Sequence, residues 1–115
     1  MKFIITDFFE KQFKKTLQDL NINELVEKIN INYKNFINLK DPYIKIKLRT
    51  RNKSYRIIII YDKIDSIILF LNIFDKKDKN YGENLNWDLH KNDIIFWKDK
   101  NQECIIEWKY KNIFL

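Results

Sequence analysis

The sequence predicts an α+β domain. It has a short N-terminal strand, a two-helix hairpin packed on one face of a twisted antiparallel sheet, and an extra C-terminal β-hairpin. Three observations lead there. Residues 43–49 alternate apolar and polar side chains with a period of two, the pattern of a half-buried strand. Two further apolar runs, 57–60 and 67–71, are bounded by Asp, Ser and Lys, and their short length suits buried strands. Ahead of them, residues 7–31 carry apolar side chains at helical spacing behind two capping signatures.

Taken in order, Lys2 to Thr6 is the first strand. Asp7 followed by Glu10 reads as a capping box, and Phe9, Phe13, Leu17 and Leu20 then mark an amphipathic helix ending near Asn21. Asn21 with Glu24 repeats the pattern and opens a second helix through Ile22, Leu25, Val26 and Ile29. Tyr33, Phe36 and Ile37 hold the same phase, so this helix is expected to run towards Asn38. Asp41-Pro42 ends it. A strand from Tyr43, a loop from Thr50 to Ser54, a strand from Tyr55 to Tyr61, a turn at 62–65 and a strand from Ser66 to Phe74 make an antiparallel meander. Glu83 to Lys91 reads as either a short helix or irregular chain. Asp93 to Lys98 and Glu103 to Tyr110 are expected to form the last hairpin, turned by 99–102, with Trp87, Trp97 and Trp108 serving as core.

At 115 residues the chain is expected to be a single domain, 1–115, with a main body over 1–85 and an extension over 86–115. Hydrophobic residues at 45% and charged residues at 33% exclude a disordered chain. A lone cysteine, Cys104, forms no internal disulfide and fits a reducing, cytoplasmic setting. No signal-peptide pattern follows Met1 and no apolar run approaches a membrane span, so no membrane association is expected.

The charge is concentrated. There are 22 Lys+Arg against 16 Asp+Glu, a surplus of +6. Residues 43–56, YIKIKLRTRNKSYR, hold Lys45, Lys47, Arg49, Arg51, Lys53 and Arg56 and no acid, so the rest of the chain nets to zero. Cations interleaved with Tyr43, Tyr55 and Tyr81, and joined by Lys76, Lys77 and Lys79, suit phosphate contact and base stacking. The same pattern also describes an ordinary solvated strand face. Other chemistry is thinly supported. There is no CxxC, HExxH, glycine-rich phosphate loop or GxSxG, and the one histidine, His90, anchors neither a zinc site nor a triad. No metal and no cofactor is expected.

The motifs Lys45-Ile46-Lys47-Leu48-Arg49, Tyr55-Arg56-Ile57-Ile58-Ile59, Ile68-Leu69-Phe70-Leu71 and Asp75-Lys76-Lys77-Asp78-Lys79 with Tyr81, in that order, resemble the RelE/ParE toxin superfamily. Within it they are most similar to the RelE-like mRNA interferases of type II toxin–antitoxin systems. The resemblance covers about the first three quarters of the chain. It implies a metal-independent endoribonuclease that cleaves mRNA in the ribosomal decoding site by attack of a 2′-hydroxyl on the adjacent phosphate. It assigns catalysis to Lys45, Lys47, Arg56 and Lys77, RNA binding to Arg49, Lys76, Lys79 and Tyr81, and partnership to a cognate antitoxin. Lysine stands at position 77 where the family often has arginine, and Tyr81 falls about two residues early. These departures, with the extension, support an alternative: the same fold as a non-catalytic binding protein, such as a phage- or mobile-element-borne inhibitor of a host protein or nucleoprotein complex. A gyrase poison of the ParE branch, which generally lacks the RNase cations, ranks third.

Overall fold

The computed structural model describes residues 1–32 and 35–115. The elements run β1 (Lys2–Thr6), α1 (Asp7–Thr16), α2 (Ile22–Ile31), β2 (Phe36–Lys40), β3 (Tyr43–Arg49), β4 (Ser54–Asp62), β5 (Ile67–Asp75), α3 (Trp87–Ile106) and β6 (Tyr110–Phe114). All six strands join one sheet in the order β2-β3-β4-β5-β1-β6. The sheet is mixed: β2 to β5 form the antiparallel meander, β1 runs parallel to β5, and β6 is antiparallel to β1. The class is therefore α+β as the sequence predicts, but the sheet is not purely antiparallel.

Helix starts are locally encoded. Thr6 caps α1, its hydroxyl accepting the Phe9 N–H at 3.1 Å, so Asp7 is the first helical residue and not the cap. Asn21 and Glu24 make the predicted reciprocal capping box, at 2.8 and 3.2 Å. α1 stops at Thr16, earlier than expected, because Leu17 turns extended and buries its side chain in the core.

Two expectations fail. The second helix does not reach Asn38; it ends at Ile31, and Phe36–Lys40 pairs with β3 through Phe36↔Ile46 and Asn38↔Ile44. The open edge of β3 offers a full ladder of backbone partners, which outweighs a helical phase carried by so few residues. Tyr33, expected in that helix, lies outside the described residues. The C-terminal β-hairpin is also wrong: residues 87–106 form one long helix and β6 is a single edge strand. Asn86 caps this helix, accepting the Leu89 N–H at 3.0 Å, and Ile94, Trp97 and Asn101 form its narrow buried stripe.

The strict alternation of β3 divides the molecule. Ile44, Ile46 and Leu48 join Phe3, Phe9, Phe13, Leu25, Ile29, Ile57 and Phe70 in a core beneath α1 and α2. The opposite face of the sheet holds a second core, where Tyr43, Ile58 and Leu71 pack with Leu85, Ile94 and Trp97 under α3. A bulge between Ile58 and Ile59 takes Leu71 out of the regular β4–β5 register. The Leu71 carbonyl then accepts the side-chain amide of Asn101 at 3.0 Å. Asn101 is wholly buried; its amide also reaches the Trp97 carbonyl at 2.7 Å and its oxygen accepts the Thr6 hydroxyl. Trp87 and Trp97 belong to the second core, as expected of them; Trp108, 82% exposed, does not. No helix is long and apolar enough to cross a membrane among the described residues.

Candidate nucleic-acid interface

The face under α3 is the one that carries the cations. α3 covers it from the Tyr43 end, where Trp87 packs on Tyr43 at 5.1 Å. Away from that end, Lys47 and Arg49 of β3 and the segment after β5 are exposed, and most of the cations lie there. In the β3–β4 ladder Lys47 stands directly opposite Arg56, Lys45 opposite Ile58 and Arg49 opposite Ser54; across β4–β5, Arg56 faces Phe74. Lys47 and Arg49 are exposed and Lys45 is half-buried.

Arg56 is the unusual member. It is only 7% exposed, yet no carboxylate pairs with it among the described residues. Among the described residues its one side-chain hydrogen bond runs from a terminal nitrogen to the Tyr55 carbonyl at 3.2 Å, and its buried Nε has no partner. The directly opposed charge is that of Lys47, which repels it. Buried charges in folded proteins are ordinarily paired and hydrogen-bonded, since desolvation penalises them heavily otherwise. A buried guanidinium with no carboxylate beside it, set among cations, is a position that a bound anion would stabilise.

Lys45 answers to the same surroundings. Its Nζ donates to the Leu85 carbonyl at 2.9 Å. Partial burial pushes its pKa below the usual lysine value, and the nearby charges of Lys47 and Arg56 push it further the same way.

The segment after β5 forms the wall. The Lys76 N–H bonds the Ser54 carbonyl at 2.9 Å, tying the wall to β4. The Asp75 carboxylate accepts the Lys77 N–H at 2.9 Å and the Asp78 carboxylate accepts two more backbone donors. Gly82 is required here: a Cβ would strike the carbonyl oxygens of Lys76 and Asp78. Arg49, Arg51, Lys53, Lys76 and Lys77 surround a cleft of about 380 Å³ with Asp75.

Of the residues that the sequence singles out, Lys47 with Arg56, and Arg49 with Lys76 and Lys77, are brought together. Lys45 is coupled to the first pair but lies under the Leu85 carbonyl. Lys79 borders an adjoining depression that shares Lys76 and Lys77 with the cleft and adds Asp78 and Glu83. Tyr81 is drawn inward: its hydroxyl donates to Asp93 at 3.0 Å and its ring packs on Phe74 and Trp97. Its pKa is raised by burial and by that carboxylate. His90 is half-buried at the start of α3, its Nδ1 accepting the Asn86 N–H at 3.2 Å, with its ring against Tyr81. Arg51 and Lys53 join the cleft from the hairpin loop, outside the strand motifs; their place in the acid-free stretch 43–56 is the sequence signal for them.

No protein-family model matches this chain, and no curated protein matches it. The similarity to RelE-like proteins accordingly rests on the motif residues themselves.

Proposed function

We propose that this chain is a cytoplasmic RNA-directed protein of the RelE-like type that cleaves mRNA on the ribosome. The observation that carries the reading is Arg56: a buried, unpaired guanidinium facing Lys47, beside a lysine of lowered pKa. Phosphodiester chemistry uses such a set. The 2′-hydroxyl attacks the adjacent phosphorus; the O2′–P bond forms and the P–O5′ bond breaks, leaving a 2′,3′-cyclic phosphate and a 5′-hydroxyl. Lys45 takes the 2′ proton in its neutral form, which its depressed pKa makes accessible. Arg56 and Lys47 hold the phosphate oxygens as charge accumulates on them. Lys77 donates a proton to the departing oxygen, while Arg49 and Lys76 bind flanking phosphates. An antitoxin would neutralise the activity.

A second reading keeps the anion seat without the reaction: an inhibitor that binds a host nucleoprotein complex. Two observations favour it, the packing of half-buried Tyr81 against the second core and the tie from Lys45 to Leu85. Induced expression in bacteria separates the two. Growth arrest with cut messages on translating ribosomes, abolished by Lys47→Ala with Arg56→Ala, supports cleavage. Harmless expression with stoichiometric capture of one host complex supports the inhibitor.

A further inference from the structure

We infer that the cleft beside Arg56 is a second phosphate seat, so that this face takes an extended single-stranded polynucleotide across two successive phosphates. The inference rests on the RNA reading above and adds Arg51, from the β3–β4 loop, to the binding surface.

The cleft collects cations from three chain segments: Arg49 from β3, Arg51 and Lys53 from the loop, and Lys76 and Lys77 from the wall. Asp75 is the acid among its lining residues and is already engaged. Lys53 Nζ lies 3.4 Å from it, and the Lys77 N–H bond, followed by Lys53, holds its carboxyl below the usual range. Lys76 pairs with Glu83 at 3.6 Å. Arg49, Arg51 and Lys77 have no carboxylate partner among the described residues.

The segments are pinned before any ligand arrives. The Thr50 hydroxyl donates to Asp19 at 3.0 Å, fixing the loop to the α1–α2 connection, and the wall is tied to Ser54. A pinned cluster of like charges is unfavourable by itself and binds an anion without the entropy of ordering. Guanidinium forks at Arg49 and Arg51 match phosphate oxygens two at a time.

Spacing selects a polynucleotide. Arg49 follows Lys47, and Ser54 precedes Arg56, by two residues on the same face. Two residues of strand span about 6.6 Å, close to the step between successive phosphates of an extended chain. One phosphate on Arg56 and Lys47 thus places its neighbour over the cleft. A mononucleotide fills one seat only.

The test is fluorescence anisotropy with a single-stranded 2′-O-methyl RNA octamer, which cannot be cleaved, titrated over a range of KCl. Arg51→Gln is expected to weaken binding about tenfold at low salt and to reduce the log–log salt slope by about 0.7, one phosphate contact on a single strand. Lys63→Gln, the same charge loss on the β4–β5 turn, is expected to change neither. Asp75→Asn is expected to tighten binding several-fold by releasing Lys53. The proposal is overturned if Arg51→Gln binds like the parent, if Lys63→Gln weakens binding equally, or if poly-glutamate competes as well as RNA at matched salt. An intact Arg51 effect in a protein that cuts no ribosome-bound message sinks the catalytic reading and leaves the second seat standing. Arg56-dependent cleavage with no Arg51 effect does the reverse.

Discussion

Replacing Arg56 by methionine tests the central claim, because it should stabilise the fold while destroying function. Methionine keeps an unbranched apolar stem at this buried β4 position but removes the charge. The change relieves repulsion from Lys47, directly opposite. Taking about 6 Å for directly opposed side chains, the like-charge pair is unfavourable by roughly 0.7 kcal/mol in water-like surroundings and about 2.8 kcal/mol at an effective dielectric of 20. Lys47 is exposed, so the lower figure is the better guide for that pair. Removing the orphan Nε adds about 1–3 kcal/mol. The lost bond to the Tyr55 carbonyl offsets about 1 kcal/mol of this. The balance is a gain of about 1–3 kcal/mol, in line with other buried charges exchanged for apolar residues. For a chain of this size that is a rise in Tm of about 4–12 °C. The assay is urea and thermal unfolding of parent, Arg56→Met and Arg56→Lys, each with and without the uncleavable octamer. The octamer should raise the Tm of the parent and raise that of Arg56→Met by clearly less, the second seat alone remaining. A loss of more than about 1 kcal/mol in Arg56→Met, recovered in Arg56→Lys, would show that the arginine holds the fold together and would refute the anion-seat argument.

Four other outcomes are expected. Lys45 has a folded pKa below its unfolded value of 10.5, so its charge opposes folding fully at low pH and that opposition fades as pH rises from the folded value towards 10.5. The stability of Lys45→Met, which also loses the bond to the Leu85 carbonyl, should therefore be highest relative to parent at neutral pH and fall at alkaline pH. The difference curve also cancels Tyr55 and Tyr81, whose raised pKa values act in the opposite direction. If Lys45 is the base, the cleavage rate climbs through its pKa, and Lys47→Met moves that limb to higher pH; a limb that stays in place excludes Lys45. Asn101→Ala strands the Leu71 carbonyl and the Thr6 hydroxyl in the core, and denaturant titration should read a loss of about 3 kcal/mol; a loss under 1 kcal/mol means α3 is not anchored there. Truncation before Asn86 removes Ile94 and Trp97 and bares the buried Ile58 and Leu71. Each of those two exposures removes about 1.5–3 kcal/mol from a total of typically 5–15 kcal/mol, before the loss of Trp97 and β6 is added. Residues 1–85 alone should then show no cooperative unfolding transition by circular dichroism.

Much of the site was legible because its signals are local. The Asn21–Glu24 box, the β3 alternation and the two short turns of the meander each depend on neighbours within a few residues. Once those strands pair in register, Lys47 must face Arg56. The C-terminal third was not legible for the opposite reason. α3 buries a narrow stripe at Ile94, Trp97 and Asn101 while Leu89, Phe96 and Ile106 remain exposed, so its helical period is faint in the sequence. Cys104, Ile106, Trp108 and Tyr110 happen to alternate, and that imitation of a strand prevailed. β2 failed similarly: its apolar residues keep the helical phase of α2, and only the waiting edge of β3 makes them a strand.

The sequence by itself determined where positive charge accumulates, which strand carries it, and that this strand has one apolar and one basic face. Those properties follow from residue order and the two-residue period of an extended chain. Tertiary structure alone decided what that face became. Folding α3 across it buried the Tyr43 end, packed Tyr81 against a core, bonded Lys45 to the Leu85 carbonyl and left Arg56 buried without a carboxylate partner among the described residues. Burial and electrostatic coupling arise from contacts between segments far apart in the chain, so no window of sequence contains them.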